Sequence, residues 1–160
     1  MRIGLIADTH DHLDARVAGL FDGVHHILHA GDVGHPTLIS ELELIAPVTV
    51  VAGNNDSHPG WRETEVREFA GTRILVEHIV NPHALSPAFR QRLVRSQAHI
   101  VVFGHSHRAF SGVVDNVHFI NPGSAGDPRH GRPASVGILH LGSKPTRAVF
   151  LGLDGRTLAG

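Results

Sequence analysis

"RIGLIADTH", residues 2–10, is an apolar run that stops on an aspartate, with a histidine two positions later. A continuous apolar run of this kind is the pattern of a strand buried on both faces, as in a parallel sheet. Two more runs in the first half follow the same plan. "HHILHA", 25–30, leads into Gly31 and Asp32, and "VTVVAG", 48–53, leads into Asn54. Between the runs lie segments with helical spacing. Residues 14–22 carry Val17, Leu20 and Phe21, and 36–45, "PTLISELELI", opens with Pro36 and is stopped by Pro47. Strand alternating with helix predicts parallel pairing through right-handed crossovers.

The second half reads differently. "TRILVEHI", 72–79, is a strand, 84–95 is a helix that begins near Pro87, and "HIVVFG", 99–104, is another buried strand. Four short strands follow, at 109–114, 117–123, 135–142 and 146–153, separated by turn residues. Asp115 and Asn116 form a hairpin candidate between the first two. Two polar, Gly/Pro-rich loops, 54–64 and 121–133, are long enough to carry function.

Composition narrows the classes. The chain has 160 residues, 41% hydrophobic and 18% charged, which predicts one globular domain over 1–160. A formal net charge of -1 with no basic block argues against nucleic-acid partners. No apolar stretch approaches the roughly 20 residues of a membrane helix, and the N-terminal run is too short for a signal-peptide core. With no cysteine in the chain, a cytoplasmic location is the expectation. Histidine is the anomaly: 15 residues, as many as all the acidic ones together.

Each strong run releases a nitrogen or oxygen donor at its carboxyl end: Asp8 and His10, Asp32, Asn54, His78, then His105 and His107. That edge is where open α/β sheets bind ligands. Gly31, Gly53 and Gly104 each precede a donor, which lets neighbouring loops crowd together. Seven such donors exceed one tetrahedral ion and suit two divalent ions sharing a carboxylate, with Asp32 the natural bridge. Ions about 3.5–4 Å apart clamp the attacking and leaving oxygens of a phosphoryl displacement, with hydroxide as nucleophile.

The ordered set "DTH", "GD", "GNND", a lone histidine and "GHSH" resembles the calcineurin-like metallophosphoesterase superfamily. The chain is similar to its small bacterial and archaeal phosphodiesterase branch, which is related to the retromer small subunit. The resemblance implies an α/β fold in which a two-sheet β-sandwich is flanked by helices. It also implies a metal-dependent phosphodiesterase or phosphatase acting on a small phosphate ester. One ion would take Asp8, His10, Asp32 and His107, and the other Asp32, Asn54, His78 and His105. Manganese is the expected ion, and iron, nickel, cobalt or zinc also suit these ligands. Two rival readings are a non-catalytic protein-interaction scaffold with a structural metal cluster and a cyclic-nucleotide phosphodiesterase. A homo-oligomer is a further expectation, on the view that exposed apolar strands of the second half pair between copies.

Two departures matter. Where the superfamily carries a histidine after "GN", this chain has Asn55, which donates a hydrogen bond but no proton near neutral pH. His58 or Asp56 is the candidate substitute acid, so the expected catalytic set is Asp32, Asn54, Asn55 and His58. Ile79 follows His78 where the resemblance expects glycine. Blander roles are assigned elsewhere. His25, His26, His29, His99, His118 and His140 are read as packed or solvated, and His12 and His35 as neighbours of the motif loops. "NPGSAG", 121–126, is read as a support turn for the metal loops or as a phosphate cradle, and Trp61 as a loop anchor or a stacking platform.

Overall fold

The computed structural model describes residues 1–126, 131–142 and 146–160. Its elements, in chain order, are β1 (Arg2–Ile6), α1 (Arg16–Leu20), β2 (His26–His29), α2 (Thr37–Glu43), β3 (Val48–Val50), β4 (Thr64–Phe69), β5 (Thr72–Glu77), α3 (Pro87–Ser96), β6 (Ile100–Val102), β7 (Ala109–Val114), β8 (Val117–Pro122), β9 (Ser135–His140), β10 (Arg147–Gly152) and β11 (Thr157–Leu158). They form one sheet of order β11-β10-β9-β1-β2-β3 and another of order β4-β5-β6-β8-β7. The first three strands pair in parallel, as the alternating pattern predicts, and β5, β6 and β8 form a second parallel core. Antiparallel strands close both sheets at their flanks.

The sheets pack face to face, with helices outside. Ile3, Leu5, Ala7, Leu28 and Leu139 from one sheet meet Ile74, Val76, Ile100, Val102 and Ile120 from the other. On the outer face of the first sheet, Ile6, Ile27 and Ile138 pack against Val17 and Phe21 near α1 and Leu38 and Leu42 of α2. On the outer face of the second, Leu75, Val101 and Phe119 cover Phe89 of α3. Both faces of β1 are therefore dry, which is why its sequence is apolar without alternation. Gly4 belongs to the same arrangement: a Cβ there would stand 3.2 Å from the Phe21 ring, which lies over the strand.

Several boundaries differ from the sequence reading. The helices are shorter than 14–22 and 36–45, and α3 starts at Pro87 behind Ser86, whose Oγ accepts from the Phe89 N–H. Strand β4 lies where a loop was expected to end. Its "TEVREF" is polar because it is an edge strand with an exposed face. It joins β5 through Ala70 and Gly71, both at positive φ, as a tight hairpin turn requires. Strand β11 has two residues and gives no pattern to read. The hairpin at Asp115 and Asn116 is present, with both residues at positive φ. Of the apolar strands of the second half, β8 and β9 sit inside their sheets, whereas β7 stands at an edge with Val113 exposed.

Phe21 touches the strand that carries the first donors, so its removal tests how far the fold depends on that seam. Phe21→Ala is expected to lose about 3–5 kcal/mol of stability by cavity formation, measured by urea denaturation.

Candidate metal centre

The seven donors do converge. The two sheets place the ends of β1, β2, β3, β5 and β6 on one edge, and the loops that follow interlock by backbone hydrogen bonds. The Asp8, His10 and Asp11 N–H groups donate to the carbonyls of Gly31, Asp32 and Val33, continuing the β1–β2 pairing beyond the strands. On the other side, Ala125 and Gly126 donate to the carbonyls of Ala7 and Asp8. The loop after β6 is tied down by Asn121, whose Nδ2 donates to the Gly104 carbonyl at 2.7 Å. Ser124 Oγ donates to the Asp8 carbonyl. "NPGSAG" is thus a support for the donor loops; residues 127–130 of the longer loop lie outside the described residues.

Close approach explains two of the glycines. A Cβ on Gly31, which sits at φ +91°, would lie 2.8 Å from the Gly53 nitrogen and 2.8 Å from His78 Nδ1. A Cβ on Gly53 would collide with the Asp32 backbone nitrogen and Oδ1. The donors themselves are strained: Asp8, His10, Asp32, His105 and His107 all have φ between 45° and 66°. Left-handed backbone at a non-glycine residue costs roughly 1–2 kcal/mol, and it turns each side chain off its strand toward the common centre.

The centre is a crowd of acceptors. Asp8, Asp32 and His78 are all buried. Asp32 Oδ2 lies 3.4 Å from His78 Nε2 and 3.8 Å from His10 Nε2. Asp8 Oδ1 lies 3.4 Å from His107 Nε2 and 3.9 Å from His78 Nε2. Each carboxylate therefore faces two imidazoles, and Asp8 meets the geometric condition for a bridge as well as Asp32 does. His10 Nε2 and His107 Nε2 stand 3.3 Å apart. Asn54 Oδ1 faces His78 Nε2 at 3.1 Å and His105 Nδ1 at 3.0 Å.

Protonation follows from the surroundings. Burial pushes the His78 pKa below its ordinary value, so the ring is neutral and carries one N–H. That hydrogen sits on Nδ1, which donates to the Ala30 carbonyl at 2.7 Å. The Nε2 lone pair then points at Asp32, Asp8 and Asn54, all of which also present oxygen lone pairs. Burial of Asp32 acts to raise its pKa, but N–H donation by the Asn55 backbone and side chain, with His78 and His10 nearby, outweighs it; the net shift is downward. Lone pairs aimed at one another in a low-dielectric pocket repel, and divalent cations remove the repulsion. Two groups among the described residues satisfy a metal-holding geometry: Asp8, His10 and His107, and Asp8, Asp32 and His78.

Several residues act one layer out. Asp56 accepts from the N–H groups of Val33, Gly34 and Gly53, pinning the loop after β2 to the loop after β3. Both its oxygens are occupied as acceptors, so it clamps the loops rather than offering a proton. The buried His29 accepts from the Gly31 N–H through Nδ1 and meets Thr9 Oγ1 through Nε2 at 3.0 Å. His58 is exposed, accepts from the Gly60 N–H and stacks on Trp61 at 4.6 Å. Trp61 packs against the first core cluster and anchors the loop. His26, His99 and His118 bond Thr49, Arg73 and Ser111, away from the centre. The Asp56 clamp carried no signal in the sequence beyond its place after two asparagines.

Comparison with known proteins places this geometry in context. The calcineurin-like phosphoesterase superfamily domain matches residues 1–144. A probable metallophosphoesterase of Methanothermobacter thermautotrophicus is 34% identical over 149 residues, covering 88% of this chain and 86% of that protein. A phosphodiesterase of Methanocaldococcus jannaschii is 29% identical over 166 residues, covering 94% and 99%. Vps29 of Entamoeba histolytica, solved as a zinc complex, has the same fold, with a TM-score of 0.79 at 23% identity over 99% of this chain and 96% of that one.

His29 gives a pH signature. Burial pushes its pKa from 6.5 down to about 3, so the unfolded chain takes up a proton as pH falls through 6.5 while the folded chain does not. Stability is therefore full above pH 6.5 and declines below it. Thermal melts between pH 7.5 and 5 are expected to show a steeper fall for the parent protein than for His29→Gln.

Proposed function

The chain belongs to the calcineurin-like phosphoesterase superfamily, and from that premise we propose that it hydrolyses phosphate diesters with two divalent metal ions, manganese the expected one, held by Asp8, His10, Asp32, Asn54, His78, His105 and His107. The observation that carries the reading is the facing of lone pairs at His78: its Nδ1 hydrogen is committed to the Ala30 carbonyl, so its Nε2 lone pair meets Asp32 Oδ2 and Asn54 Oδ1. No hydrogen-bonding scheme with neutral rings satisfies all of these at once, and cations do. The zinc, iron, nickel and cobalt ions fit the same donor chemistry.

When bound, the pair of ions supplies a hydroxide near neutral pH for in-line attack and neutralises charge on the phosphoryl oxygens. The chain's own residues do the rest. Asp8, facing His107 and His78, is held by the His105 backbone N–H on both oxygens at 3.1 Å. Asp32 is fixed from outside by Asn55, whose Nδ2 donates to Oδ2 at 2.7 Å and whose backbone N–H donates to Oδ1 at 2.9 Å. Asn55 thus positions a carboxylate and has no proton to give the departing alkoxide. Esters with good leaving groups are accordingly the favoured substrates. Small-molecule esters are the proposed substrates. No helix among the described residues is long and apolar enough to cross a membrane.

Two measurements test this. Hydrolysis of bis-p-nitrophenyl phosphate is expected to require added Mn²⁺, to stop with chelator, and to fall by at least about 10³-fold in Asp32→Ala. Absence of metal-dependent turnover in the parent protein would favour the scaffold reading instead. His58 is tested by leaving-group dependence: if it protonates the leaving oxygen, His58→Ala slows alkyl esters far more than aryl ones, and equal slowing removes it from the mechanism.

A further inference from the structure

The donor cluster stands between two unlike clefts. On the His78 side, a cleft of about 260 Å³ is lined by Asn54, Glu63, Glu77 and Ile79. On the His105 side, a cleft of about 590 Å³ is lined by Ile79, Pro82, His83, Phe103, Arg108 and Phe110, among others. Ile79 is 53% exposed and belongs to both walls, so it forms the ridge between them. Taking the phosphodiesterase reading as its ground, we infer that the larger cleft is a subsite for an aromatic arm of the ester, an aryl or nucleobase group.

Four observations carry this. The cleft is continuous with the centre, because His105 lines it while its Nδ1 stands 3.0 Å from Asn54 Oδ1. Its walls are aromatic: the half-buried Phe110 ring meets His83 edge-on, with centroids 5.8 Å apart, and Phe103 at 6.1 Å. A planar group entering there adds a further offset or edge contact to that corner. Arg108, exposed at the rim, offers a guanidinium that stacks on π-faces. The volume lies in the range of small-molecule sites, roughly 300–1,000 Å³.

The contrast with the smaller cleft gives the direction. Glu63 and Glu77 line that side, and Glu77 is held in place by Arg92 at 2.6 Å and Thr64 at 2.9 Å. Carboxylates suit hydroxyl groups or cations and disfavour an apolar ring. Among the described residues no carboxylate side chain lines the larger cleft, whose wall includes the main chain of Gly160. The two arms of a diester are thereby distinguished, with the ring drawn to the Phe110 side.

Two phosphonates that hydrolysis does not cleave test the inference. Binding of phenylphosphonate and methylphosphonate to the Mn²⁺-loaded protein is measured by calorimetry, beside bis-p-nitrophenyl phosphate turnover. Phenylphosphonate is expected to bind about tenfold tighter than methylphosphonate. Phe110→Ala, and separately the exposed His83→Ala, should cut that preference while leaving methylphosphonate affinity within about twofold, which also reports an intact centre. Equal affinities in the parent protein, or a preference that survives both substitutions, would overturn the subsite alone. If neither phosphonate binds and no turnover appears, the phosphodiesterase reading fails and the subsite falls with it.

Discussion

The arrangement turns on forcing two carboxylates and several imidazole lone pairs to share a space a few ångströms across. Left to themselves such groups separate, because each loses solvation on burial and gains only repulsion from its neighbours. Here the backbone prevents separation. The loop carrying Asp8 and His10 is hydrogen-bonded to the Asp32 loop on one side and to Ala125 and Gly126 on the other. Asp56 ties the Asp32 loop to Gly53. The scaffold thus stores an electrostatic conflict that cations resolve, so metal affinity and fold rigidity are two aspects of one design.

That storage needs a stiff foundation. The donors follow the ends of β1, β2, β3, β5 and β6, and side chains of β1, β2, β5 and β6 fill the dry space between the sheets. A loop anchored at the end of a fully buried strand has little freedom, which is how left-handed conformations at Asp8, Asp32 and His105 persist without glycine. Sandwiching two parallel-cored sheets also brings β6 of one beside β1 of the other. A Cβ on Gly104 would lie 3.0 Å from Ala7 Cβ and 3.0 Å from Asp8 Oδ2. Residues about a hundred positions apart in sequence meet there because each sheet presents the carboxyl ends of its parallel strands at the same edge.

Much of this was legible in the sequence. Continuous apolar runs ending in donors announced buried strands and the edge at which their side chains gather, since dry parallel strands cannot alternate polarity. Glycines immediately before Asp32, Asn54 and His105 marked the close approaches. What was hidden has physical reasons. In β4, "TEVREF", charge on an exposed edge masks the strand pattern, and only the tight turn at Ala70 and Gly71 betrays it. Positive φ at Asp8 and His10 goes with tertiary hydrogen bonds from their N–H groups to Gly31 and Asp32, which local propensity does not encode. Asp56 was a plausible acid by chemistry, and only its three N–H partners reveal a clamp.

Asn55 shows how one substitution redistributes work within a shared framework. An imidazole after "GN" could give a proton to a leaving oxygen, which an asparagine amide cannot. The asparagine amide instead turns its Nδ2 to Asp32 Oδ2 while its backbone N–H takes Oδ1, so both oxygens of that carboxylate are fixed from outside the centre. The gain is a better oriented carboxylate facing His10 and His78; the loss is a mobile proton. On the proposed reading, such a site draws its selectivity from the ester itself, through leaving-group acidity and through whichever arm the walls beside His78 and His105 accept. The side walls and the ridge at Ile79 are then where one diester would be distinguished from another.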